Sequence, residues 1–289
     1  MKTAFTFVGL VALGTVGAAQ EMAAKSVRFG DARLGKGARF TVTSSNDSTV
    51  KMAVKGGGVQ ELMFETSTLV EYAYTVAVTA CDEKGRQTAT IDVARAHVRA
   101  TSSLTRDTEH DCLATKVKWT ATRGVDDDAW WFEGEGPQDS EARRTLEEIA
   151  ARALGRAPLA AALAGRTLKV GDKVDVPVAE AKRLLATFAE LHDVKSFELE
   201  LTGTKQLDGV AVATFAAKVH FESIPKTDSN DATTIDLEGE IAVTLAQSII
   251  VRASLAGPTR SDMTIGSGSG AVNMRGTGRL KWTFRAELR

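Results

Sequence analysis

Alternation with a period of two runs through most of the chain. Residues 69–80 (LVEYAYTVAVTA) and 88–100 (TATIDVARAHVRA) flank the polar turn CDEKGRQ, a pattern that predicts an antiparallel hairpin. Residues 197–204 and 210–222 flank KQLDG in the same way, and Asp-Gly suits a tight hairpin turn because both central residues need positive φ. Residues 235–245, 248–255 and 271–288 complete a meander. Segments of ten or more residues exceed the usual strand of about five or six. Long strands twist as they pair, so the pattern predicts a strongly curved sheet able to enclose an apolar hollow.

Two stretches break the alternation with helical spacing. In residues 139–154, Ala142, Leu146, Ile149, Ala150, Ala153 and Leu154 form one stripe, with Arg143, Arg144, Glu147 and Glu148 assigned to the other face. Asp139 or Ser140 caps its start, and Gly155 and Pro158 end it. In residues 177–191 the stripe is Val178, Ala181, Leu184, Leu185, Phe188 and Leu191, with Asp175 as the expected cap and Pro177 in the first turn. Both helices are one-sided, as covers for a sheet or for each other are. The predicted fold class is α+β, mostly β, with long curved antiparallel sheets covered by two amphipathic helices. Residues 26–137 make an N-terminal β-rich half, 138–166 a helix and connection, and 167–289 a C-terminal helix followed by a β meander.

Residues 1–19 read as a signal peptide. Lys2 precedes a 13-residue apolar run (AFTFVGLVALGTV), and Gly17-Ala18-Ala19 offers small residues for cleavage. The run is shorter than the ~20 residues of a spanning helix, and no later segment is apolar enough to cross a membrane as a helix. No Cys follows to take a lipid anchor, so the expected product is soluble and periplasmic or secreted. Basic and acidic residues number 36 and 37, or 35 and 37 once Lys2 has left with the signal. That balance argues against a nucleic-acid binder, which needs a basic footprint, and against tight electrostatic docking on anionic lipid surfaces. Cys81 and Cys112 are the two cysteines of the chain. In an oxidising compartment such a pair is expected to form a disulfide, and closing a loop of about 31 residues contributes roughly 3–4 kcal/mol.

The segments VTACDEKGRQTATIDVARAHVRAT, LKVGDKVDVPV and FELELTGTKQLDGVAVATFAAKVHF together resemble a broad group of exported bacterial proteins known as domains of uncharacterised function. The shared features are a Val-Gly-Asp turn, here Val170-Gly171-Asp172, and a hairpin over residues 201–211; Lys173-Val174 stands where an aromatic usually follows the turn. The resemblance supplies no catalytic residue.

The densest chemistry lies in RGVDDDAWWFEGEGPQD, residues 123–139, with six carboxylates around Trp130 and Trp131. Asp126, Asp127 and Asp128 are consecutive and diverge, whereas a calcium loop alternates its carboxylates around one ion. A hairpin of residues 116–122 with 130–135 explains the segment better: Trp130 and Phe132 face the core, and Trp131 is an edge cover or a ligand contact. RDTEHDC and the separated His97, His192 and His220 carry no metal-ligand spacing. IGSGSGA has Gly268 where a nucleophile elbow needs Ser, and KGGGVQ reads as a turn. The predicted function is therefore non-catalytic and cofactor-free. By analogy with lipoprotein-carrier half-barrels, the chain is expected to hold a lipid or other apolar ligand against Leu184, Leu185, Phe188 and Leu191, with Trp131 as a further contact. A structural role with an envelope protein partner is the alternative, and a hydrolase or calcium-dependent glycan-active protein comes third.

Overall fold

A computed structural model describes residues 26–289 apart from 31–32, 57, 84–85, 114–117, 124–129, 135–138, 155–156, 186–191, 225–228 and 266–270. In chain order its elements are β1 (Val27–Arg28), β2 (Arg39–Gly56), β3 (Val59–Cys81), β4 (Gln87–Ser102), β5 (Thr108–Asp111), β6 (Lys118–Arg123) and β7 (Trp130–Glu133). Then follow α1 (Ser140–Ala153), α2 (Ala160–Leu163), β8 (Thr167–Leu168), β9 (Lys173–Asp175) and α3 (Val178–Leu184). The remainder is β10 (His192–Leu207), β11 (Val210–Ser223), β12 (Ser229–Asp231), β13 (Thr234–Thr244), β14 (Ile250–Ile265) and β15 (Val272–Leu288).

The protein is mostly β. One antiparallel sheet of 13 strands runs in the order β7-β6-β4-β3-β2-β15-β14-β13-β11-β10-β9, with β5 beside β4 and β12 beside β14. The predicted hairpins are present and longer than the pattern alone marks. β3 is 23 residues long and pairs with β2 from Arg39↔Ala77 to Gly56↔Val59. At the β10–β11 turn Asp208 and Gly209 both have positive φ, 50° and 82°, which is the two-residue hairpin that Asp-Gly favours. The predicted N- and C-terminal halves share this sheet, because β2 pairs with β15 in unbroken register from Phe40↔Leu288 to Gly56↔Val272.

Alternation selects one face of the sheet for the core. Phe40 and Val42 on β2, Tyr74, Val76 and Val78 on β3, and Leu280, Trp282, Phe284 and Ala286 on β15 are all buried and belong to one apolar cluster. The helices cover that face. α1 starts where the sequence predicts, with the Asp139 carboxylate accepting from the Ala142 N–H at 2.8 Å, and it buries Ala142, Leu146, Ile149 and Ala150. Three differences from the expected pattern stand out. A short third helix, α2, lies within the predicted connection. α3 closes at Leu184 within the described residues, with Leu185 as its C-cap. Its N-cap is Pro177 and not Asp175, because Asp175 is the last residue of β9, paired with Glu198 of β10, and is not free to turn back over the helix. Among the described residues no helix is long and apolar enough to cross a membrane.

Candidate functional site

Two places on the sheet combine shape with chemistry, one on each face. On the core face, the ends of α1 and α3 and the start of α2 meet β14 and β15 around an apolar crevice. Leu159, Leu184, Ile249, Ile250, Trp282 and Phe284 line it, together with Arg152, Ala157, Pro158 and Ser248. The space at its centre is about 10 Å³, room for a single water at most.

The crevice wall leads into a buried polar cluster. Arg152 and Glu148, one helical turn apart on α1, form an ion pair at 3.6 Å with their side chains only 6% and 9% exposed. Tyr74 is fully buried beside them, and burial pushes its hydroxyl pKa up even though the Arg152 charge pulls the other way. Burial likewise raises Tyr72, helped by Cys112 and Glu148. By helical spacing Glu148 belongs to the solvent face of α1. The structure corrects this: the buried stripe is wide enough to take in positions 148 and 152 as well as 142, 146, 149 and 150. Helical spacing carried the signal, since 148 and 152 are an i, i+4 pair able to neutralise each other.

The predicted site residues fare unevenly. Leu184 lines the crevice. Leu185 is buried in the same core cluster but is not among the lining residues. Phe188 and Leu191 lie outside the described residues, as do the acidic tip at 126–128 and most of IGSGSGA. β6 and β7 form the expected hairpin, and Trp131 stands 68% exposed, away from the crevice.

The predicted disulfide between Cys81 and Cys112 is not formed. Cys81 pairs with Gln87 at one end of the β3–β4 ladder, whereas the Cys112 N–H bonds the Ala96 carbonyl nine residues further along β4. At ~3.3 Å per residue those positions are roughly 30 Å apart, far beyond the ~7 Å that a disulfide can bridge. The Cys112 thiol instead donates to the Ala96 carbonyl at 3.3 Å inside the core.

Two histidines have partners that sequence spacing did not reveal. The His97 ring lies 2.9 Å from Glu109 and 3.0 Å from Asp111, which β5 brings alongside β4. His220 contacts Asp236 at 2.7 Å across the β11–β13 ladder and Glu222 at 3.4 Å, and the hydrogen bond to Asp236 raises its pKa. Among the described residues no group of three His, Cys, Asp or Glu side chains is placed to hold a metal ion.

On the opposite face, the β10–β11 turn leans over β14, β15, β2 and β3 to bound an open hollow of about 550 Å³. Thr43, Ala73, Arg95, Asp208, Arg252 and Arg285 are among its walls. Asp208 reaches Arg285 across it at 3.8 Å.

No family model matches the chain, and no curated protein does. Among solved structures, an outer membrane channel from Pseudomonas putida F1 is 12% identical, with 90% of this chain and 100% of that chain covered and a TM-score of 0.23. A DUF1329 family protein from Desulfovibrio piger is 11% identical over 84% of this chain and 85% of its own, with a TM-score of 0.14. Likenesses this low establish no shared fold or function.

Proposed function

We propose that the chain is a non-catalytic exported protein that holds an acyl-type apolar ligand between its helices and a curled sheet. The observation that carries this reading is how the helices bridge the sheet. α1 packs on the edge strand β7 and on α3, and α3 packs on β10 near the opposite edge. Nine strand spacings separate β7 from β10, roughly 43 Å in a flat sheet at ~4.8 Å each. Two helices side by side, packed ~8–10 Å apart, span far less, which supports a sheet curled toward the helices. Strand glycines support the same curl. A Cβ on Gly239 would come within 1.9 Å of the Ser254 carbonyl oxygen, and one on Gly257 within 1.7 Å of that of Asp236. Backbones that close together mark tight bends in a sheet. On this reading the crevice at the helix ends is the apolar space that the curl encloses, and moving α3 outward from Leu184 would open it.

One observation favours the alternative of a structural envelope component: the crevice holds only about 10 Å³ as it stands. Titration with a long-chain fluorescent fatty acid separates the two readings. Saturable binding that is lost on Leu184→Trp, which fills the crevice, supports a carrier. No binding to either protein, and no lipid released on native mass spectrometry of protein taken from its own envelope, leaves a solid sheet with a structural role.

A further inference from the structure

The hollow on the other face shares Phe284 with the crevice, and its floor follows from strand register. Arg252 on β14 stands opposite Arg285 on β15, Arg285 opposite Thr43 on β2, Thr43 opposite Ala73 on β3, and Ala73 opposite Arg95 on β4. One row across five strands therefore carries three arginines with two small residues between them. The next row is Ser254, Thr283, Ser45 and Glu71. Thr43, Ala73, Ser45 and Thr283 are too small to fill the space above them, and the long side chains on either side become walls.

The charges in this row do not cancel. Arg95 is held by Glu71 at 2.5 Å, and Arg285 is shared between Asp208 at 3.8 Å and Glu287 at 3.7 Å. Arg252 is exposed and makes no ion pair or side-chain hydrogen bond within the described residues. Like charges directly opposite on neighbouring strands destabilise a sheet, and Arg252 and Arg285 are such a pair. Asp208 and Glu287 offset the charge of Arg285, and an anion between the two guanidinium groups would do the same for Arg252.

We infer that this hollow binds a phosphate group. A carboxylate is satisfied by one guanidinium fork, whereas a phosphoryl group offers oxygens in several directions and can accept from both arginines and the Ser and Thr hydroxyls of the floor at once. The volume, about 550 Å³, lies within the range of small-molecule sites. A second hollow of about 340 Å³ shares Leu207, Asp208 and Val251 with it and is lined further by Val210 and Leu288, with Glu287 and Arg289 at its polar side. Leu207, Val210 and Val251 belong to a small apolar cluster with Val212 and Ala242, separate from the main core. The ligand chemistry is thus a phosphate ester with a non-polar substituent lying toward Leu207, supplied either as a soluble ester or as a lipid headgroup.

The test is calorimetric titration of the full chain at ~0.15 M salt, where diffuse surface attraction is screened beyond about 8 Å. The probes are inorganic phosphate, glycerol 3-phosphate, soluble dihexanoyl phosphatidic acid, and phosphatidylglycerol against phosphatidylcholine vesicles. Arg252→Ser is expected to weaken binding about tenfold or more, and Arg252→Lys severalfold because the charge stays but the fork is lost. Its melting temperature should hold or rise, since a repulsive pair is removed. Arg279→Ser, an exposed change on the same face outside the hollow, should leave the affinity unchanged. Binding of the soluble esters identifies a free ligand, and binding of only the phosphatidic acid or the phosphatidylglycerol vesicles identifies a lipid headgroup; either supports the site. Absence of binding to every probe overturns it, and so does equal weakening by Arg252→Ser and Arg279→Ser.

Discussion

On α1, Glu148 and Arg152 place two charges against an apolar core, with Tyr72 and Tyr74 as polar neighbours. Such a pair adds little net stability, because desolvating both ions offsets most of their attraction. Removing one partner is another matter, since the buried charge that remains loses its opposite. Arg152→Met is therefore expected to lower unfolding free energy by about 3–5 kcal/mol, and the double change Glu148→Leu with Arg152→Met to restore most of it. Urea denaturation of the three proteins measures this, and a single variant that loses less than about 1 kcal/mol would show the pair to be solvated. The residue scale is also where the sequence was hardest to read. Glu148 looks like a solvent residue because charge in a helix usually means exposure, and its neutralising partner is legible only once both are known to face inward. His97 shows the same limit: its contacts with Glu109 and Asp111 depend on the return of β5 along β4, which no local pattern encodes.

Elements were far more legible, because period-two alternation and Asp-Gly turns act locally. The β3–β4 and β10–β11 hairpins, the β6–β7 hairpin and the Asp139-capped start of α1 all lie where patterning and turn chemistry put them. What the pattern missed was strand length. β14 runs from Ile250 to Ile265 through Gly257-Pro258, a dipeptide that reads as a strand end because Pro donates no ladder hydrogen bond. The structure accommodates it where the β13 ladder is interrupted: pairing with β13 skips from Ala256 to Thr259, while pairing with β15 continues. Gly257 is needed at this point because a side chain would run into the Asp236 carbonyl. Gly257→Ala is expected to cost at least ~1–3 kcal/mol, as overpacking does. Gly35→Ala, where nothing lies within 4 Å of the added carbon, should be close to neutral. Equal melting temperatures for the two variants would mean that β13 and β14 are not held this closely.

At the scale of the whole molecule, the pairing of β2 with β15 governs what can unfold separately. Alternation shows which residues form strands but not which distant strands meet, so the sequence presents two β-rich halves on either side of α1. The register joins them: β15 is hydrogen-bonded to β2 along its entire length on one side and to β14 from Ile265 to Arg252 on the other. It is the last strand of the chain yet sits in the interior of the sheet, so neither half has a complete core face without it. Trp282, Phe284 and Leu280 on β15 belong to the same apolar cluster as Trp119 on β6 and Leu199 on β10. Heat should therefore melt residues 26–289 in one transition, with the calorimetric enthalpy equal to the van't Hoff enthalpy, the signature of an all-or-none unit. Deleting residues 272–289 should abolish that transition altogether and not merely shift it, because it opens the ladders of β2 and β14 together. Two resolved transitions in the full chain, or a surviving cooperative transition after the deletion, would show that the halves fold on their own and that the β2–β15 seam only docks them.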